Sequence, residues 1–125
     1  MILDTNAVSE WAEGRRKVEI VLRSAGTLIV PTIVVGEYLY GIRQSRYRSE
    51  HERWLRRRFR SVEVAHVSGE TATHYADIRL ELKRAGNPIP VNDVWIAAVA
   101  REIGLPLLSN DRHFDAVSGL RRISF

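Results

Sequence analysis

A chain of 125 residues has room for one domain with a proper hydrophobic core and too little for two. Hydrophobic residues at 45% and charged residues at 27% are ordinary for a soluble globular protein, and the lack of cysteine excludes disulfides and any thiolate metal site, in keeping with a reducing cytoplasm. Nineteen Lys and Arg against fifteen Asp and Glu give a net charge of +4 and a pI near 10.0, a balance shared by plain basic proteins and by proteins that handle a polyanion.

The first residues show neither the basic nor the apolar region of a secretory signal. The longest apolar run, Leu28 to Val35, is broken by Pro31 and Thr32 and cannot span a bilayer. No repeat, low-complexity tract or linker divides the chain, so residues 1–125 read as a single domain.

In chain order, Met1-Ile2-Leu3 is a short buried strand that ends on Asp4. Asn6 can cap a helix through Glu13, stopped by Gly14. A second helix over Arg15 to Ser24 carries Val18, Val21 and Leu22 at helical spacing. Thr27 to Val30 reads as a buried strand closed by Pro31. Thr32 is a candidate N-cap for a third helix through Gly41 or a little beyond, with Glu37 inside an otherwise apolar stretch.

Ser45 to Arg60 follows as a helix, with Tyr47, His51, Leu55 and Phe59 on one stripe and arginines around the rest. Val62 to Val67 is expected to be a strand, and Ser68 to cap a long helix to Ala85. Pro90-Val91-Asn92 leads into an alanine-rich helix over Asp93 to Glu102, whose small side chains suit close packing. Leu105 to Ser109 is a further buried strand, Asn110-Asp111 opens a helical turn, and Leu120 to Phe125 closes the chain as a strand. This alternation predicts an α/β fold with a mainly parallel central sheet flanked by helices. In such sheets chemistry collects beyond the carboxyl ends of the strands, where Asp4 and Asp111 both fall.

Taken singly, each acid has an ordinary explanation. Asp4 can be an Asx turn or cap, Asp93 a first-turn acid favoured by the helix dipole, and Asp111 part of a capping loop. Glu37 is harder to place, because a carboxylate within an apolar helix needs a partner. Together, Asp4, Glu37, Asp93 and Asp111 can form an oxygen-ligand site for one or two Mg²⁺ or Mn²⁺ ions, which would relieve their mutual repulsion. Asp115, one helical turn past Asp111, is a further candidate. Thr5 and Ser109 can hold carboxylates or water beside them, and Asn6 and Asn92 read equally well as caps or as site residues.

These segments resemble the PIN-domain ribonucleases, and in particular the VapC-type toxins of bacterial toxin–antitoxin pairs. Ile2-Leu3-Asp4-Thr5-Asn6 looks like the first motif of that family, and Glu37-Tyr38-Leu39-Tyr40-Gly41-Ile42 like its second. Asn92-Asp93-Val94-Trp95-Ile96-Ala97-Ala98 resembles the third, and Leu108-Ser109-Asn110-Asp111-Arg112-His113-Phe114 the fourth, continued by Ser118-Gly119-Leu120. The four motifs occur in order over the whole length. Gly36 in an unusually apolar approach and Asn110 between Ser109 and Asp111 depart from the pattern without removing a carboxylate.

The resemblance implies a Mg²⁺- or Mn²⁺-dependent endoribonuclease in which a metal-activated water attacks RNA. Asp4 and Asp93 would be the main ligands, Glu37 would ligate or position the water, and Asp111 would ligate or complete a second site. It also implies a homodimer and a hetero-oligomer with a cognate VapB-like antitoxin whose C-terminal segment blocks the acidic groove.

Arg53, Arg56, Arg57, Arg58 and Arg60, interleaved with Trp54 and Phe59, can contact an RNA backbone, or else form a solvated face whose apolar members pack inward. His51, His66, His74 and His113 show no paired metal spacing and read as structural. Trp11 and Trp95 read as core or interface anchors. Two rivals to the nuclease exist: a non-catalytic RNA- or antitoxin-binding module, and a haloacid-dehalogenase-like phosphatase. In the second, Asn6 stands where the general acid is needed; a phosphoaspartate receiver fails similarly, for want of an early acidic doublet.

Overall fold

The computed structural model describes residues 1–125. Five short strands, β1 (Ile2–Leu3), β2 (Ile29–Pro31), β3 (Glu63–Ala65), β4 (Leu107–Leu108) and β5 (Arg122–Ile123), form one sheet in the order β3-β2-β1-β4-β5. Every neighbouring pair is parallel. Six helices flank the sheet: α1 (Thr5–Ala12), α2 (Arg16–Ser24), α3 (Thr32–Arg43), α4 (Arg48–Arg58), α5 (Gly69–Arg84) and α6 (Val91–Ile103). A 3₁₀ turn at Arg112–Ala116 joins β4 to β5. The expected α/β architecture with a parallel sheet is the one observed. No helix is long and apolar enough to cross a membrane.

Burial on both faces explains why the central strands contain only apolar residues. Ile2, Leu3, Val30, Leu107 and Leu108 are all inaccessible to solvent. The chain winds outward from β1 through β2 to β3, then returns to the other side of β1 for β4 and β5. The winding therefore reverses between β1 and β4, and a crevice opens beyond the carboxyl ends of these two strands. Leu3 is level with Leu108 in the ladder, and the Asp4 amide donates to the Leu108 carbonyl at 3.1 Å. The next residues, Asp4 and Ser109, leave the sheet side by side.

The ordered pieces differ from the expected ones mainly at their ends. The strands are two or three residues long, because the chain turns away as soon as the ladder is made. Pro31, expected to close β2, is its last rung and pairs with Ala65 on β3; β1 pairs with β2 only at Ile29, so the missing N–H disturbs no ladder on that side. Thr32 is inside α3, not its cap: its hydroxyl donates to the Ala65 carbonyl and ties the helix start to β3. Helix α6 starts at Val91, after the extended Pro90, so Asn92 and Asp93 both lie in its first turn. It ends at Gly104, whose φ of 72° is a left-handed conformation that glycine adopts without strain.

Small residues make α6 the central helix. Ile96, Ala97, Ala98, Val99 and Ala100 are buried, and α5 packs along the helix while α3 meets it from another side. On α4, Leu55 is buried, His51 and Phe59 are half-buried, and Tyr47 is exposed, so the expected stripe is shorter than its period suggested. Trp54 packs edge-on to Trp11 of α1, with centroids 5.2 Å apart, and Arg58 lies over the Trp11 ring at 5.1 Å.

Helix α5 has the most complete cap in the molecule. Ser68 Oγ accepts the Thr71 amide, and Thr71 Oγ1 accepts the Ser68 amide at 2.9 Å. Both hydroxyls also donate to Glu102 near the end of α6. A carboxylate is unfavourable at the end of its own helix but favourable at the start of the next, and this placement locks α5 to α6. Ser68→Ala should therefore destabilise the protein by about 1 kcal/mol. Thermal denaturation should show a midpoint lower by roughly 3–5 °C; an unchanged midpoint would dismiss the cap as a stabilising element.

Candidate metal centre and acidic groove

The crevice beyond β1 and β4 is a groove of ≈ 700 Å³ lined by Asp4, Thr5, Asn6, Ser9, Glu10, Glu37, Tyr40, Asn92, Asp93 and Asp111. Asp4 and Asp111 come from the ends of β1 and β4, Glu37 from the middle of α3, and Asp93 from the first turn of α6. Four acids separated by up to 107 positions thus share one wall. Glu10, one turn past Asn6 on the same face of α1, is a fifth acid in the groove. Nothing in its sequence setting signalled this.

Hydrogen bonds fix the carboxylates before any ligand arrives. Asp4 is only 5% exposed, and its Oδ2 accepts from Ser109 Oγ at 2.7 Å and from Asn6 Nδ2 at 2.6 Å. Asn6 also donates to Ser109 Oγ at 3.0 Å and accepts the Asn110 amide, so it organises the site and does not cap α1. Asp4 itself occupies the N-cap position of α1, without a side-chain capping bond. Glu37 is held at both oxygens, by the Thr5 hydroxyl and by Asn92 Nδ2 at 2.9 Å. Asp111 Oδ1 accepts the His113 amide at 2.9 Å, and the Asp111 amide donates to Ser109 Oγ. Ser109 is fully buried, and through one hydroxyl it touches Asp4, Asn6 and Asp111.

Asp115 does not join the other acids. Arg122 donates to its two oxygens at 2.7 and 2.9 Å, and the same guanidinium donates to the Ser109 carbonyl at 3.0 Å. This bidentate pair holds the Asp115 carboxyl below the usual carboxylate range and braces the loop after β4. His113, read from the sequence as structural, lies beside the acids: its Nδ1 is 3.1 Å from Asp111 Oδ1 and 3.4 Å from Asp93 Oδ2. No arginine lines the groove; Arg53, Arg56, Arg57, Arg58 and Arg60 are all exposed on or just after α4.

Burial, reinforced by the crowding of like charges, sets the electrostatics. Burial, and then the charge of Asp4, push the Asp93 carboxyl up to about 6; a hydrogen bond from His113 opposes the shift, while Asp111 and Glu37 add to it. Asp4 is raised too, chiefly by burial, with Ser109 and Thr5 opposing and Glu37 and Asp111 adding. Such a set is at ease only when protonated or when a cation sits among the oxygens. Hard oxygen donors from several elements, with room beside them for water, fit Mg²⁺ or Mn²⁺.

Comparison with known proteins gives the family of the chain. The family model of the PIN domain matches residues 1–120. Ribonuclease VapC2 of Haemophilus influenzae is 36% identical over 124 residues, spanning 96% of this chain and 93% of the relative. The tRNA(fMet)-specific endonuclease VapC of Shigella flexneri is 31% identical over 97 residues, 77% of this chain and 74% of its own. The crystal structure of VapBC2 from Rickettsia felis, bound to a DNA fragment from its promoter, has the same fold, with a TM-score of 0.91 at 22% identity over 99% of this chain and 97% of that one. The chain belongs to the PIN-domain family, on its VapC ribonuclease branch.

The raised carboxyls carry a pH-dependent consequence. A folded-state pKa above the unfolded value contributes stability that is present at low pH and lost as pH rises through the folded value, here about 6 for Asp93. Cation binding needs the ionised form, so added Mg²⁺ or Mn²⁺ should raise the melting temperature more at about pH 7.5 than at about pH 5. A hundredfold excess over Kd corresponds to about 2.7 kcal/mol of stabilisation. Equal shifts at both pH values would remove these carboxyls from the binding site.

Proposed function

We propose that this protein is a metal-dependent endoribonuclease, the toxin of a type II toxin–antitoxin pair, acting through the groove at the β1–β4 crevice. The observation that carries this reading is the convergence of Asp4, Glu37, Asp93 and Asp111 on one open wall. Family membership and relatives named as ribonucleases support it.

In this reading Asp4 and Asp93 hold one Mg²⁺ or Mn²⁺, and Asp111 adds a ligand or completes a second ion site. Such an ion supplies Lewis acidity, lowering the pKa of water and offsetting charge on the scissile phosphate. The chain's own groups provide placement. Ser109 and Asn6 keep Asp4 Oδ2 fixed, so the carboxylate need not reorganise during reaction. Glu37, anchored at both oxygens by Thr5 and Asn92, orients the attacking water and takes its proton. The rest of the protein is basic, which draws a polyanion toward a groove that would repel it without the cation.

The partners follow from the same electrostatics. An antitoxin segment with a basic side chain satisfies the carboxylates and blocks RNA at once. The DNA-bound VapBC2 complex of Rickettsia felis supports a paired antitoxin for this chain. A homodimer, and RNA contact by Arg53, Arg56, Arg57 and Arg60, complete the proposal. The non-catalytic alternative has no observation in its favour, since every carboxylate of the set is in place.

The test uses the purified chain, free of antitoxin, with total RNA and a tRNA pool as substrates. Cleavage should need Mg²⁺ or Mn²⁺ and stop with EDTA. Asp4→Asn and Asp93→Asn should each lose at least about a hundredfold in rate. Asp93→Asn should also melt higher than wild type without metal, because it removes a desolvated charge from a repulsive cluster. Intact RNA under all conditions, with wild type and Asp4→Asn equally harmless to growing cells, would reject the nuclease.

A further inference from the structure

His113 has no role in the mechanism above, yet the fold puts its ring at the rim of the acids. The residue follows Asp111 by two positions, and the 3₁₀ turn brings Nδ1 to 3.1 Å from Asp111 Oδ1 and 3.4 Å from Asp93 Oδ2. One ligand atom from each of the three residues lies within 4.8 Å of the others. Two physical explanations compete for this closeness.

In the first, the ring is a hydrogen-bond donor that calms the carboxylates. Nδ1 carries at most one proton, so at 3.1 Å and 3.4 Å it can serve only one of the two carboxylates well. Asp111 Oδ1 already accepts the backbone amide of His113 at 2.9 Å, so the ring would be a second donor from one residue to one oxygen. In the second, Nδ1 and the oxygens stand at the spacing of neighbouring ligands. Adjacent donors on an octahedral ion, each roughly 2.1 Å from its centre, are about 3 Å apart. The ring is half exposed, with 53% of its side chain accessible, so it can adjust by a few tenths of an ångström without disturbing the core.

We propose that His113 is a nitrogen ligand in a mixed site with Asp93 and Asp111, and that this nitrogen biases the protein toward Mn²⁺ over Mg²⁺. The inference rests on the metal-dependent nuclease reading and sharpens it. Mg²⁺ keeps to oxygen and holds its water tightly; Mn²⁺ shares that preference for carboxylate and water but, as the first of the transition-metal series, accepts a nitrogen ligand more readily than Mg²⁺ does. An all-carboxylate wall has no reason to separate the two ions strongly; an imidazole among the ligands supplies one.

Pulsed EPR on Mn²⁺ bound to the full chain reads the bond directly. Wild type should show ¹⁴N coupling from a directly bound imidazole, and His113→Gln should lose it. By calorimetry, Mn²⁺ affinity should fall roughly ten- to a hundredfold in His113→Gln, with Mg²⁺ affinity nearly unchanged. Equal metal-free melting curves would establish that the variant is folded. Bound Mn²⁺ without nitrogen coupling, coupling that persists in His113→Gln, or equal weakening of both ions would each overturn the proposal while leaving the nuclease intact. If wild type binds neither ion, the metal-dependent nuclease reading fails, and this inference with it.

Discussion

Burial and mutual repulsion of carboxylates that share one wall are the constraint around which this site is built. Burying Asp4 and Asp93, and then setting Glu37 and Asp111 beside them, costs free energy, and the raised Asp93 and Asp4 carboxyls express that cost, desolvation first and like charge second. The fold meets it with neutral donors. Ser109, Asn6, Thr5 and Asn92 supply hydroxyl and amide hydrogens that steady the acids without cancelling their charge. A lysine or arginine in those places would satisfy the carboxylates permanently and leave nothing for a cation to do.

The architecture explains how such a site is assembled from distant segments. Parallel pairing of β1 with β4 sets Asp4 beside Ser109, and the reversed winding leaves space above them. The small residues of α6 let it seat deeply, with Asp93 in its first turn at the groove. Helix α3 carries Glu37 across to Asn92 on α6, a bond that spans the groove wall. On the far side, Arg122 links Asp115 to the Ser109 carbonyl, so the last strand braces the loop that carries Asp111. The ends of β1 and β4, together with α1, α3 and α6, each contribute a carboxylate or the means of holding one.

Charge is divided by location. Acids line the groove, while the arginines of α4 remain on the outside, with Trp54 and Arg58 packed against Trp11. In the proposed reading a polyanion is attracted by the body and admitted to the groove only with a cation present. The same division suits a protein partner that carries its own positive charge into the groove. On that proposal, one electrostatic arrangement would serve both catalysis and silencing.

Much of this was legible in the sequence, for identifiable reasons. Apolar runs ending on polar turns marked the strands, and their alternation with helical periods implied the parallel sheet. Asp4, Glu37, Asp93 and Asp111 stood out because each interrupts or borders an apolar segment, where an unpartnered charge is costly. Ser68 was readable as a cap because capping is local chemistry. What depended on through-space partners was not legible. Asp115 sits one turn from Asp111 and was a fair candidate until the last strand delivered Arg122 to it. Nothing in the sequence singled out Glu10, and Asn6 read equally well as a cap or a site residue until β4 laid Ser109 and Asn110 against α1. His113 had no metal spacing along the chain, since its companions are an aspartate two residues away and another twenty residues back. Sequence by itself determined which side chains carry charge and which segments must be buried. Only the tertiary structure decided which charges face each other, because pairing depends on distance across the sheet and not along the chain.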